Sequence, residues 1–250
     1  MIKVFYKSFA IPEKCFFGKK IFKKLFLENG NLDMNDKKVI KDDIIEIIWV
    51  YSLKPETLNI PPFINAKYNY DEIAIIQVNL IDKKNVNRIA NFINLSIPYP
   101  TLLLFNFDDY LLISISEKRL NKNDHTKWIL ENIIMTEWID LKDLNKFQQQ
   151  FLQDINIKNL SFINLNTFYY SIMNRILALN FSSRNGIYKI VSQEKIERRQ
   201  RNLLEIYSIE EKINELRSQL KNELQFNRKI DLNILIKENE KIIQTLEKDL

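Results

Sequence analysis

Three strand-like runs of apolar residues follow one another closely between positions 71 and 118. The first, residues 73–78, is rich in β-branched isoleucine and ends at the charged Asp82-Lys83-Lys84, as a buried strand does. Two later runs, at 101–107 and 110–116, flank Asp108-Asp109, which predicts a tight hairpin. Between them, apolar spacings of three and four predict a helix of about ten residues that packs on the first strand. Its apolar positions are Val86, Ile89, Ala90, Ile93 and Ile97.

Helical spacing also marks the segments before this β-α-β-β unit. Residues 14–28 predict a helix with aromatic residues on one side and lysines on the other, and Asn29-Gly30 is its stop signal. Residues 42–53 carry too many isoleucines for a surface helix, so they predict a helix in the core. The prolines in residues 54–62 predict an extended segment. Three further elements are predicted after the unit: a last strand at 136–139 and helices at 141–155 and 167–180.

The C-terminal part carries a longer helical pattern. Apolar residues recur at threes and fours among Glu, Lys and Arg from residue 194 to 224, and the pattern resumes after residue 231. This predicts an antiparallel helical hairpin with coiled-coil packing. Because the first arm is longer than the second, part of its apolar stripe needs another partner: the protein's own body, a second copy or a different subunit. The candidate partner-binding residues are Ile206, Ile209, Ile213, Leu216 and Leu220.

These patterns together predict an α+β protein. Residues 1–190 are expected to form a globular domain in which helices cover a small mixed sheet built on the β-α-β-β core. Residues 191–250 are expected to form the hairpin extension. The low glycine and proline content, three and six residues, favours long helices over turn-rich sandwiches. The single cysteine excludes an internal disulfide. Without an apolar run near membrane-spanning length or a signal-like start, we expect a soluble cytoplasmic protein.

Positive charge is concentrated near the start of the chain. The net charge is +5, and the first 24 residues hold seven lysines and one acid, whereas residues 191–250 are neutral. Lysines interleaved with aromatic residues can bind a nucleic-acid backbone, and a second basic cluster opens the hairpin. The alternative for both clusters is a solvated helix face, with the arginines paired to nearby glutamates. The candidate nucleic-acid-binding residues are Lys19, Lys20, Lys23, Lys24, Arg198, Arg199 and Arg201.

The residue types that usually carry chemistry are sparse. One histidine, His125, and one cysteine, Cys15, more than a hundred positions apart, make neither a zinc set nor a catalytic triad. The three glycines, Gly18, Gly30 and Gly186, are too far apart to form a glycine-rich phosphate-binding motif. The sequence therefore predicts no catalytic residues, metal ligands or resident cofactor.

A metal-dependent nuclease is the remaining enzymatic alternative. Such a site needs two or three converging carboxylates, often with a nearby lysine, and acids do lie near the strand ends. The usual acid-x-Lys pair on a strand is missing, however, and acids in turns are common. The candidate acids are Asp71, Glu72, Asp108, Asp109 and Glu117.

Several segments resemble a bacterial family of unknown function. The similarity runs from residue 9 to about 180, and residues 54–60 with the Ile97-Pro98-Tyr99-Pro100 turn are its most specific parts. The helical C-terminal part is also similar to that of the family. The other matching segments are Phe9-Ala10-Ile11-Pro12, Ile44-Ile45-Glu46-Ile47-Ile48-Trp49 and residues 72–80.

Genes of this family tend to lie beside helicase and DNA-methyltransferase genes in restriction-like antiphage loci. The resemblance therefore implies a context, DNA-directed defence, and it supplies no catalytic residues. We expect a non-catalytic accessory subunit that docks through its hairpin onto a helicase or methyltransferase. The alternatives are a divergent nuclease and a stand-alone nucleic-acid-binding protein. The apolar stripe of the hairpin could also bind a second copy of the chain.

Overall fold

The computed structural model describes residues 2–29, 32–121, 128–191 and 193–248. The chain divides into two compact units, residues 1–180 and 181–250. No helix in the described ranges is both long enough and apolar enough to cross a membrane.

A mixed sheet is the centre of the first unit. In chain order, the strands of the whole unit are β1 Phe16–Ile21, β2 Ile44–Leu53, β3 Phe63–Ile64, β4 Asn69–Tyr70, β5 Ile73–Leu80, β6 Thr101–Phe107, β7 Tyr110–Leu120, β8 Trp128–Met135 and β9 Ile139–Asp140. The main sheet has the order β1-β2-β5-β6-β7-β8, and β9 also pairs with β7, whereas β3 and β4 form a separate ribbon. Strands β5 and β6 are parallel, and the other neighbours in the main sheet are antiparallel.

Helices surround the sheet and form the second unit. They are α1 Lys3–Phe9, α2 Lys23–Asn29, α3 Met34–Asp42, α4 Pro55–Leu58, α5 Val86–Ser96, α6 Lys146–Asp154, α7 Leu165–Asn185, α8 Gln193–Asn222 and α9 Phe226–Lys248. Short 3₁₀ turns lie at Glu13–Cys15 and Ile157–Asn159.

The predicted β-α-β-β unit is confirmed as β5-α5-β6-β7. A parallel strand pair needs a crossover connection, which α5 supplies, and Ile89, Ala90 and Ile93 bury its apolar face. The hairpin between β6 and β7 turns at Asp108-Asp109, with Phe107 paired to Tyr110. The mixed α+β class is therefore confirmed.

Two predicted helices in the first 55 residues were wrong. Residues 44–53 form the strand β2, which lies between β1 and β5 and has buried residues on both faces, so its apolar run lacks the alternation of a half-buried strand. Residues 16–21 form the strand β1, and a helix begins only at Lys23. The sheet is consequently larger than expected. The predicted last strand is also displaced, since β8 ends at Met135 and β9 begins at Ile139.

The second unit contains the helical hairpin. Helices α8 and α9 pack against each other and are joined by the short loop at residues 223–225. Their shared core consists of Ile213, Leu216 and Ile236, with Ile209, Leu220, Leu232 and Ile243 packed around it. Asn239 lies within this helix pair at 7% exposure, and its amide donates to the carbonyl of Leu235 at 2.7 Å.

Candidate functional sites

The four candidate lysines of the first unit lie on an edge strand and the helix that follows it. Lys19 and Lys20 belong to β1, whose residues are exposed from Phe16 to Lys20, and Lys23 and Lys24 open α2. Their contacts are weak ones at the surface: Lys20 lies 3.8 Å from Glu46, Lys24 lies 3.4 Å from Glu28, and Lys23 donates to the carbonyl of Lys41 at 3.3 Å. Exposed pairs of this kind contribute little to stability, so these lysines remain available to a ligand.

A bulge in β1 brings exposed aromatic rings next to these lysines. Gly18 has a left-handed φ of +62°, and the pairing of β1 with β2 shifts register between Phe16 and Lys19. The Phe16 ring contacts Tyr51 at 5.8 Å between centroids, and the Phe17 ring contacts Trp49 at 5.3 Å. Sequence reasoning assigned these phenylalanines to a helix and therefore missed the surface, although Gly18 inside the pattern was a warning.

The aromatic contacts continue inward across the sheet. The ring of Trp49 lies 5.8 Å from that of Tyr99, which precedes β6, and the indole N–H donates to the carbonyl of Tyr51 at 2.9 Å. That hydrogen bond fixes the orientation of Trp49. Burial and the nearby carboxylates Glu72 and Asp71 raise the pKa of the Tyr99 phenol.

The three candidate arginines lie on α8, in the second unit. The guanidinium of Arg199 lies 5.3 Å above the Phe181 ring and donates to the carbonyl of Lys189 at 3.2 Å, and burial lowers its pKa. Arg199 therefore has a structural role within this unit. Arg198 and Arg201 are exposed.

The candidate acids lie at two ends of the sheet. Asp71 and Glu72 precede β5, whereas Asp108 and Asp109 follow β6, and the parallel pairing of β5 with β6 places these two pairs at opposite ends. The carboxylate of Glu117 accepts hydrogen bonds, both of 2.9 Å, from the side chains of Tyr170 and Asn132.

Glu72 is also engaged locally: it accepts from Ser52, and one of its oxygens lies 3.4 Å from the ammonium of Lys54. Among the described residues, no group of three or more His, Cys, Asp or Glu side chains is placed to hold a metal ion. The convergence that the nuclease hypothesis requires is thus not found in this part of the chain.

The structure describes the single cysteine of the chain but not its single histidine. His125 lies outside the described residues. Cys15 is buried, its thiol is 3.7 Å from the carbonyl of Thr57, and burial raises its pKa. A thiol in this environment is unreactive.

A buried lysine is the polar feature that sequence reasoning missed. Lys118 is 1% exposed, and its ammonium donates to the carbonyls of Ile97 and Tyr99 and to the hydroxyl of Thr101. Burial holds the pKa of Lys118 well below its ordinary value. The lysine thereby anchors the Ile-Pro-Tyr-Pro turn, one of the segments that carry the family resemblance.

The five candidate partner-binding residues lie on the inner side of the hairpin unit. Ile206, Ile213 and Leu216 are buried, and Ile209 and Leu220 pack around the shared core of α8 and α9. A partner would have to displace α9 to reach most of them, so their contact with a partner stays a prediction. The described large apolar side chains that are exposed on this unit are different ones: Ile187, Leu204, Tyr207, Leu224, Phe226, Ile230, Ile234, Leu235 and Ile242.

The fold and these sites define an α+β protein with an internally packed sheet domain and a helical hairpin. The chain belongs to the family described as "Domain of unknown function (DUF4391)", whose model matches residues 9–243. No curated protein and no solved structure matches the chain.

Proposed function

We propose that this protein is a non-catalytic accessory subunit of a bacterial, cytoplasmic, DNA-directed antiphage defence complex, and that its hairpin docks onto a helicase or methyltransferase. The context comes from the family resemblance described above. The observation that carries the proposal is the outer surface of the hairpin.

The hairpin presents apolar side chains that its own packing does not use. On α9, Ile230, Ile234 and Ile242 are 43%, 49% and 46% exposed, and on α8, Leu204 is 49% exposed. Single exposed apolar residues are ordinary, but those on α9 recur at helical spacings, four and eight residues apart. Anchors at such spacings are how an amphipathic helix binds an apolar groove.

The charge of the hairpin favours a protein partner over nucleic acid. Residues 191–250 contain twelve basic and twelve acidic residues, so the hairpin has no net attraction for phosphates. Apolar anchors surrounded by charges of both signs are the usual composition of a protein interface.

The test compares an outer-surface variant with a matched control on the full chain. The outer variant combines Ile230→Ser, Ile234→Ser and Ile242→Ser; the control combines Glu211→Ser, Asn214→Ser and Glu215→Ser, which are exposed polar positions on α8. Each is coexpressed with the neighbouring helicase and methyltransferase gene products, captured by a tag, and sized by light scattering. Circular dichroism checks that the helices are retained.

We expect the wild type and the control to form a complex with one of these enzymes, and the outer variant to lose at least tenfold in affinity. Equal binding by the outer variant would overturn the assignment of the interface. A wild-type homodimer that the outer variant dissociates, with no enzyme bound, would replace the proposed partner by a second copy of this chain.

A further inference from the structure

We propose that the surface around β1 binds single-stranded nucleic acid, independently of the hairpin. This β1 site consists of the exposed rings Phe16, Phe17 and Phe22 and the neighbouring lysines Lys19, Lys20, Lys23 and Lys24. It lies entirely within the first unit and does not depend on the proposed defence complex.

The exposure of these rings is unusual for this chain. Phe16, Phe17 and Phe22 are 59%, 40% and 70% exposed, although they fall within seven consecutive positions. Eight of the sixteen phenylalanines are at most 2% exposed, which shows that the fold buries this residue type readily: Phe5, Phe9, Phe26, Phe92, Phe105, Phe151, Phe168 and Phe181. Exposed aromatic rings on both faces of one sheet edge mark that edge of the protein as a binding surface.

Two of the rings are held in place while much of their surface stays open. Phe16 meets Tyr51 edge to face at an interplanar angle of 77°, on the sheet face where Tyr51 also contacts Tyr6 of α1, and Phe17 meets Trp49 at 61° on the opposite face. These contacts with β2 restrict the rotation of the Phe16 and Phe17 side chains. A ligand that binds the rings therefore loses less free energy to side-chain ordering. Stacking of a base on an aromatic ring of this kind is tolerant of sequence.

The lysines provide the matching charge for phosphates. The ammonium of Lys19 lies 5.0 Å from the centroid of the Phe17 ring, so a base on that ring and its phosphate would meet the two groups together. The side chains of Lys20 and Lys24 are 57% and 78% exposed. Residues 14–28 contain five lysines and one acid, which gives this segment a net charge of +4.

The geometry of the edge disfavours a peptide ligand. An edge strand could accept another strand by backbone pairing, but a bulge at Gly18 and adjacent lysines are devices that prevent such addition. Recognition is therefore left to the side chains, which offer aromatic faces and ammonium groups. A duplex keeps its bases stacked inside, so only an unpaired strand can use both features.

The experiment is fluorescence anisotropy of the full chain with labelled oligothymidylate, oligouridylate and a duplex of equal length. The aromatic variant is Phe16→Ser with Phe17→Ser. Its control is Phe162→Ser, because Phe162 is 47% exposed and also meets a neighbouring ring, Phe168, edge to face. A second variant, Phe16→Tyr with Phe17→Tyr, keeps the rings and guards against a loss caused by misfolding.

The lysine variant is Lys19→Gln with Lys20→Gln, and its control is Lys37→Gln with Lys38→Gln on the exposed side of α3. We expect the aromatic variant to lose about tenfold or more in affinity for the single strands, while the tyrosine variant and Phe162→Ser retain it. The lysine variant should reduce the slope of log K against log salt by about 1.4, which corresponds to two phosphate contacts on a single strand.

Unchanged single-strand affinity in the aromatic variant would overturn the proposal, as would equally tight binding of the duplex. Displacement of the oligonucleotide by a glutamate-rich peptide at equal concentration would reassign the surface to an acidic protein. The oligothymidylate and oligouridylate arms distinguish DNA from RNA. The outer hairpin variant should leave all these affinities unchanged, so the two proposals can fail separately.

Discussion

The ammonium group of Lys118 donates a hydrogen bond of 2.8 Å to the main-chain carbonyl of Tyr99. Two further bonds, of 2.9 Å to the Ile97 carbonyl and 3.0 Å to the Thr101 hydroxyl, use all three donors of the lysine. The turn contains Pro98 and Pro100, which have no N–H, so it is rich in carbonyl acceptors and poor in donors. Lys118 on β7 supplies the donors that the turn lacks.

Replacement of Lys118 by Met should therefore destabilise the first unit. The Ile97 carbonyl would lose this donor in a buried place, whereas the Tyr99 carbonyl would keep its 2.7 Å bond from the Thr101 hydroxyl. We expect the free energy of unfolding to fall by about 2 kcal/mol in urea titrations. The exposed Lys37→Met should change it by less than about 0.5 kcal/mol. Equal stability of the two variants would show that the lysine does not anchor the turn.

The same lysine should make stability depend on alkaline pH. Burial lowers the pKa of Lys118 from its ordinary 10.5, so the unfolded chain binds this proton more readily than the folded one does. Above pH 10.5 Lys118 is neutral in both the folded and the unfolded chain, so its burial carries no charge penalty; this penalty reduces stability as the pH falls toward the folded-state pKa. Urea titrations between neutral pH and pH 10.5 should show wild type gaining stability relative to Lys118→Met as the pH rises. A difference that stays constant across this range would contradict the lowered pKa.

Arg184, near the end of α7, should contribute more to the stability of the second unit than Arg217, a more exposed arginine on α8. Its guanidinium binds Glu210 on α8 through two contacts, at 2.9 and 3.1 Å, and lies 3.5 Å from Glu247 on α9. Arg217 makes a single 2.9 Å contact with Glu240, and its side chain is 59% exposed against 21% for Arg184.

We expect Arg184→Ala to cost about 1 kcal/mol after solvent screening and Arg217→Ala less than about 0.5 kcal/mol. Hydrogen exchange at the end of α9 should accelerate in Arg184→Ala alone. If thermal unfolding shows the same loss of stability in both variants, Arg184 does not contribute more to stability than Arg217.

The part of the fold that could be predicted is the part with distinct periodicities. Strand β5, helix α5 and the hairpin of β6 and β7 each show their own spacing and are separated by charged residues or prolines. Strand β2 could not be identified in this way, because a central strand covered on both faces has the same unbroken apolar run as a buried helix.

The chemistry was harder to predict than the fold. Lys118 follows Glu117 and reads in the sequence as one half of an ordinary surface charge pair, and its burial depends on a turn about twenty residues earlier. The hairpin's apolar residues were recognisable from their spacing. The spacing along one helix does not show which of these residues face inward, because that depends on how α8 packs against α9.

The bulge in β1 provides the last prediction, through a comparison of two glycines. Gly18 and Gly186 both have left-handed φ angles, of +62° and +72°, where an alanine costs about 1 kcal/mol. A Cβ at Gly18 would also lie 2.6 Å from the tip of the Phe16 ring, whereas nothing lies within 4 Å of one at Gly186. Because the Phe16 ring is largely exposed, it can swing away, at the cost of its contact with Tyr51.

We therefore expect Gly186→Ala to lose about 1 kcal/mol of unfolding free energy, and Gly18→Ala about 1.5 kcal/mol. In the anisotropy assay, only Gly18→Ala should weaken the binding of a single strand, since it displaces a ring of the β1 site. Unchanged oligonucleotide affinity in a folded Gly18→Ala protein would mean that the position set by the bulge for Phe16 is not used by the ligand.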